Sequence, residues 1–127
     1  MTTILMGAVD TLEWWQVKPW VMSAKESGFD GEIWLITYRV SDAFLQEMEK
    51  AGVNNYAVSH TPFMTPIQHA VPGSPTVSHN LRFYHAWELL TRLGSKATHV
   101  IMTDVRDVIF QRNPAQWLKN YFADKLF

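Results

Sequence analysis

Asp104, Arg106 and Asp107 place two carboxylates and a guanidinium within four positions, directly after the apolar run Val100-Ile-Met102. The run reads as a buried strand, so these charges stand at its C-terminal end. Charges there are costly without a partner, and in open α/β sheets the C-terminal ends of strands are where ligands sit. Hard divalent cations such as Mg²⁺ or Mn²⁺ take oxygen ligands, typically one or two carboxylates together with substrate phosphates. On a straight strand, positions i and i+3 face opposite ways; where the strand ends and turns, Asp104 and Asp107 can reach one ion. Arg106 is suited to a phosphate or to either Asp. The alternative on spacing alone is a salt-bridged turn that closes the strand. Asn113-Pro114 ends the stretch, with Pro114 suited to the first position of a helix.

The elements that must position these residues follow from periodicity. Thr3 to Val9 reads as a first strand, ended by Asp10-Thr11. Leu12 to Ser27 has helical period, with Leu12, Trp15, Val17, Val21 and Met22 as its apolar stripe and Pro19 predicting a kink or restart. Glu32 to Tyr38 carries the continuous run Ile33-Trp-Leu-Ile36 expected of a strand buried on both faces. Ser41-Asp42 caps a helix that reaches Ala51 and stops at Gly52, with Phe44, Leu45 and Met48 inward. Asn54 to Ser59 is a weaker strand, and residues 60–78 form a long Pro-rich loop. A helix from Leu81 to Leu93 starts at a cap from Ser78 or Asn80; its inner side is expected to carry Leu81, Tyr84, Trp87 or Glu88, and Leu89-Leu90. A strand at His99–Thr103, the acidic turn and a last helix complete the chain. Strands alternating with helices predict an α/β fold: a mostly parallel, Rossmann-like sheet with helices on both faces.

Composition narrows the function. The 127 residues suit one domain (1–127), with 47% apolar and 18% charged residues. Eleven basic against twelve acidic residues argue against non-specific nucleic-acid binding, which needs a positive excess. There is no Cys, which excludes disulfides, thiolate metal sites and Cys nucleophiles and is compatible with the cytosol. Apolar runs are interrupted by Lys18, Lys25 or Asp104 well before the ~20 residues of a membrane span, and the N-terminus has no basic segment of a signal peptide. A cytoplasmic location is therefore expected.

Other chemistries find little support. His60, His69, His79, His85 and His99 show neither H-x-x-x-H nor H-E-x-x-H spacing. The Ser and Thr residues lack a G-x-S-x-G context, and both glycine-rich phosphate signatures are absent. Trp14, Trp15 and Trp20 suit a sugar or a partner, but at helical spacing they read first as core.

The whole arrangement resembles the N-terminal half of a GT-A-type glycosyltransferase, a family in which an apolar strand runs into an Asp-x-Asp motif and then an Asn-Pro or Asp-Pro. Val100-Ile-Met-Thr-Asp-Val-Arg-Asp-Val-Ile-Phe-Gln-Arg-Asn-Pro114 carries that likeness. Asp104 matches the first Asp counting from the strand, and Asp107 the second counting back from Asn113-Pro114, with one residue more between them. The resemblance implies metal ligation by Asp104 and Asp107, with Mn²⁺ or Mg²⁺ as cofactor. It implies donor contacts from Val9, Asp10 and Thr11 after the first strand, from Arg82 near the start of the helix, and from Thr103, Asp104 and Arg106. On position alone Asp10 or Thr11 equally reads as a helix cap, and Arg82 reads first as a surface residue on an amphipathic helix. The likeness spans essentially all of the chain but only the donor half of that fold, so an incomplete domain is expected.

The function so implied is metal-assisted transfer of a sugar from a nucleotide-diphospho-sugar, expected to be a UDP-sugar, to an acceptor that is a glycan, a lipid or a protein. A non-catalytic nucleotide-sugar-binding module or degenerate paralogue is the second reading. A divalent-metal phosphohydrolase is the third.

Overall fold

The computed structural model describes residues 2–59, 81–116 and 118. The described elements run β1 (Thr2–Asp10), α1 (Trp14–Glu26), β2 (Glu32–Tyr38), α2 (Asp42–Lys50), β3 (Asn54–Ala57), α3 (Leu81–Leu93) and β4 (Ala97–Met102). Four parallel strands form one sheet in the order β3-β2-β1-β4. The chain thus builds outward from β1 through β2 to β3, then returns to place β4 on the other side of β1. That reversal is a topological switch point, and it lies between the C-terminal ends of β1 and β4.

Alternation along the strands sorts side chains to two faces. Leu5, Val9, Ile33 and Leu35 join Val17, Trp20, Val21 and Ala24 of α1 and Phe44 and Met48 of α2 in one core. Ile4, Met6, Ile36 and Tyr38 join Ala86 and Leu89 of α3 in the other. Helices therefore cover both faces, as an α/β sheet requires.

Local signals account for the boundaries. The Ser41 hydroxyl accepts from the Phe44 N–H at 3.1 Å and caps α2. At the start of α1 the Gln16 side chain accepts from the Glu13 N–H at 2.9 Å. Gly28 ends the turn after α1 at φ +92°, a conformation open to glycine at little cost. Three details differ from the sequence expectation. α1 runs unbroken through Pro19 and buries Val17, Trp20, Val21 and Ala24, while Trp15 is 72% exposed. α3 turns His85, Ala86 and Leu89 inward and leaves Trp87 exposed. β4 pairs only with β1 among the described residues and exposes Val100, so it is an edge strand and not a buried one. The capping of α3, the 60–78 loop with its histidines and the end of the last helix lie outside the described residues.

Candidate functional site

A cleft of about 260 Å³ opens at the switch point, lined by Ala8, Asp10, Leu12, Arg82, Asp104, Val105, Arg106 and Asp107. Its position follows from strand order. Parity puts Asp10 on the same face as Met6 and Ala8, which is the face covered by α3. The first turn of α3 then brings Arg82 across from it, and the turn after β4 closes the third side.

That turn is held by its backbone and by α1. The Thr103 N–H donates to the Met6 carbonyl at 3.1 Å, extending the β1–β4 ladder by one step. The Trp20 indole N–H donates to Thr103 Oγ1 at 2.9 Å, and that hydroxyl donates to the Asp104 carbonyl at 2.9 Å. Val105 then enters the core at 4% exposure. It sits over Gly7, where a Cβ would stand 2.3 Å from Val105 Cγ1. With Val105 buried, its neighbours Asp104 and Arg106 are exposed and line the cleft. Further along, Phe110 lies 6.1 Å from the Trp20 ring, and its N–H donates to Ser23 Oγ at 3.0 Å. The Asn113 amide donates to the Gly28 carbonyl at 3.1 Å. Asn113 Oδ1 accepts from the Ala115 N–H at 3.0 Å, capping the helical turn that Pro114 opens. The stretch after β4 is thereby fastened along α1.

The charges in the cleft divide into engaged and unengaged groups. Arg82 Nη1 donates to Asp104 Oδ1 at 2.8 Å, with the Arg82 side chain 23% and the Asp104 side chain 62% exposed. Asp10 is held more firmly. It accepts from Arg39 Nε at 3.1 Å, from Arg39 Nη2 at 2.5 Å and from Thr11 Oγ1 at 2.7 Å. Thr11 and Arg39 both adopt left-handed backbone, at φ +55° and +54°. Such conformations cost on the order of 1–3 kcal/mol in residues other than glycine. The Thr11 N–H donates to the Tyr38 carbonyl at 3.1 Å, so the two strained residues sit side by side where β1 and β2 end. Arg106 and Asp107 are exposed and carry no hydrogen bond or ion pair among the described residues.

Beneath Asp10, Tyr38 and His85 are both fully buried, with 2.7 Å between the phenol oxygen and His85 Nδ1. Burial pushes the Tyr38 phenol well above its ordinary range, and the carboxylates of Asp10 and Glu88 push further, against an opposing effect of Arg82. Arg82 Nε and Arg39 Nη1 are buried and have no hydrogen-bond partner among the described residues, so each guanidinium has donor capacity that Asp104 and Asp10 do not use.

Of the expected site residues, Asp10, Arg82, Asp104, Arg106 and Asp107 share the cleft. Thr11 sits beside it through Asp10. Val9 faces the α1 core at 0% exposure, and the Thr103 hydroxyl is committed to Trp20 and Asp104. Sequence reasoning did not single out Ala8, Leu12, Val105 or Arg39. A signal for Arg39 existed: with β1 and β2 in register through Asp10 and Tyr38, the residue after Tyr38 must emerge beside Asp10.

The donor set suits a hard cation: two carboxylates, Asp104 and Asp107, on one cleft, with oxygen as the ligand atom and no soft donor. Among the described residues no group of three metal-ligating side chains comes together. Also among them, no helix is long and apolar enough to cross a membrane. No known family matches the chain, and neither a curated protein nor a solved structure matches it.

Proposed function

We propose that this chain is the donor-binding part of a metal-dependent glycosyltransferase, taking a nucleotide-diphospho-sugar, with a UDP-sugar as the expected donor. The observation that carries this reading is the convergence of Asp10, Arg82, Asp104, Arg106 and Asp107 on a single cleft at the switch point between β1 and β4. Ligands of doubly wound sheets bind at that place, and paired carboxylates beside guanidinium groups match a cation-bound diphosphate.

In this reading Asp107 and Asp104 would hold Mn²⁺ or Mg²⁺, which when bound would supply charge neutralisation for a departing nucleoside diphosphate. Asp107, free of partners among the described residues, is the readier ligand; Asp104 must share its carboxylate with Arg82. Arg82 and Arg106 orient the phosphates and balance the charge that grows on them. The nucleoside end lies toward Ala8, Asp10 and Leu12.

A non-catalytic binding module is the second reading. It is favoured by the Arg82–Asp104 pair, which neutralises one of the two carboxylates. Turnover separates the two: metal-dependent release of UDP from a UDP-sugar belongs to the enzyme, and binding without release to the module.

The site assignment is tested by thermal denaturation with UDP-glucose and related nucleotide sugars, with and without MnCl₂, in the wild type and Asp107→Ala. A rise in Tm that requires the metal and disappears in the variant is expected, since a ligand that binds only the folded state stabilises it. A metal-dependent rise that persists unchanged in Asp107→Ala would sink the assignment.

A further inference from the structure

The charged groups at the cleft cancel in pairs. Asp10 is matched by Arg39, and the two carboxylates of the turn after β4, Asp104 and Asp107, are matched in number by Arg82 and Arg106. A lone divalent cation therefore meets as much positive as negative charge, and so does a lone diphosphate. Only a cation and an anion arriving together find a partner for every group. Arg82 and Asp104 decide how that match is made, because in the free protein they satisfy each other, Arg82 Nη1 donating to Asp104 Oδ1 at 2.8 Å. The two ends of this pair are held differently. The guanidinium lies over the Phe83 ring at 4.9 Å from its centroid, and its Nε is buried with no hydrogen-bond partner among the described residues. The Asp104 side chain is 62% exposed. Thr103 holds the Asp104 backbone carbonyl and not the carboxylate. The carboxylate is thus the end that can turn away, and the guanidinium the end that stays, with donors still to give.

We propose that the cleft takes its cation and its diphosphate together, through an exchange of partners: Asp104 leaves Arg82 for the cation, and Arg82 turns its donors to the diphosphate. This rests on the donor-site reading above and adds to it a rule of loading. Without the anion, a cation reaching Asp104 and Asp107 faces the Arg82 charge beside it, and the Arg82–Asp104 pair is broken with nothing to replace it on the guanidinium. With the anion, one ion pair gives way to two. The coupling is reciprocal: whatever the diphosphate adds to cation affinity by drawing Arg82 away, the cation adds to diphosphate affinity by releasing Arg82. The Arg82–Asp104 pair therefore guards the site against a bare cation and yields to the cation–diphosphate complex.

The exchange predicts effects of opposite sign from one substitution. MnCl₂ alone is titrated into the protein and the free ion followed by electron paramagnetic resonance; UDP is then titrated by calorimetry at saturating MnCl₂. Wild type, Arg82→Gln, Arg82→Met, Arg82→Lys and Asp107→Ala are compared, with melting temperatures in the absence of ligand to verify that each folds. Arg82→Gln should bind Mn²⁺ alone more tightly than the wild type, by roughly threefold or more, the scale of an exposed ion pair. It should bind UDP with Mn²⁺ about tenfold more weakly, because charge-assisted hydrogen bonds are lost. Arg82→Met, which removes the charge and keeps an apolar stem against Phe83, should behave in the same way. Arg82→Lys keeps the charge and should bind Mn²⁺ alone as weakly as the wild type. If Arg82→Gln and Arg82→Met bind Mn²⁺ no more tightly than the wild type, or Arg82→Lys gains as much as they do, the exchange is overturned, while binding of Mn²⁺ and UDP that depends on Asp107 keeps the donor site. Absence of UDP binding in the presence of Mn²⁺, or binding that Asp107→Ala leaves unchanged, would remove the donor reading and the exchange with it.

Discussion

Val105 closes over Gly7, and no side chain fits between them: a Cβ at position 7 would lie 2.3 Å from Val105 Cγ1. Through this contact the end of β1 sets the height of the turn that carries Asp104, Arg106 and Asp107. Gly7→Ala is expected to destabilise the fold by about 1–3 kcal/mol, the usual cost of overpacking. It should also weaken any ligand of the cleft, because Val105 must move. The double variant Gly7→Ala/Val105→Ala should recover part of that loss in urea unfolding. Strict additivity of the two changes would show that the contact does not set the turn.

Asp10 and Arg39 form the most enclosed ion pair in the site, with side chains 9% and 17% exposed. Removing one partner strands the other in low dielectric. Asp10→Ala is expected to cost about 3 kcal/mol by equilibrium denaturation, and Asp10→Leu combined with Arg39→Met clearly less than the sum of its parts. A loss below about 1 kcal/mol for Asp10→Ala would mark the pair as solvated.

Asp104 and Arg82 should behave in the opposite way. With Asp104 62% exposed at its side chain, water screens the pair, and Asp104→Asn should change stability by less than about 1 kcal/mol. Nucleotide-sugar affinity in the presence of Mn²⁺ should nevertheless fall at least tenfold in isothermal titration. Unchanged affinity would confine Asp104 to a structural role.

The tyrosines predict an alkaline limit. Burial holds the Tyr38 phenol protonated far above its ordinary value of 10.0, and burial with a hydrogen bond to Glu88 raises Tyr56 to about 12. Above about pH 10 the unfolded chain releases these protons while the folded one keeps them. Stability is therefore full below pH 10 and declines as pH rises through the folded-state values. Denaturation midpoints at pH 8, 10 and 11 should show this decline. Absorbance at 295 nm should show Tyr38 ionising only as the protein unfolds. A Tyr38→Phe variant should have a shallower alkaline decline, although it loses the bond to His85.

Much of the fold was legible because its signals are local. The Ser41 cap, the Gly52 stop, the end of α3 at Gly94 and the role of Pro114 are all encoded within a few residues. The inner faces of α1 and α3 were harder. Both helices carry aromatic residues on more than one side, so Trp15 and Trp87 compete with Val17, Trp20 and His85 for the inner stripe. What settles that competition is which side chains the sheet can accommodate. In the same way, the apolar composition of Val100-Ile-Met102 cannot tell an edge strand from a central one.

By itself, then, the sequence determined the succession of elements, their caps and the carboxylate–guanidinium stretch after β4, since all of these depend on periodicity and backbone preference over short spans. Only the tertiary structure decided that β4 returns to lie beside β1. Strand order is a matter of crossover direction and of two-sided burial, to which residues far apart in the chain contribute together. That one decision brings Asp10 and Arg82 to Asp104, seats Val105 on Gly7 and makes Arg39, at the end of β2, the partner of Asp10.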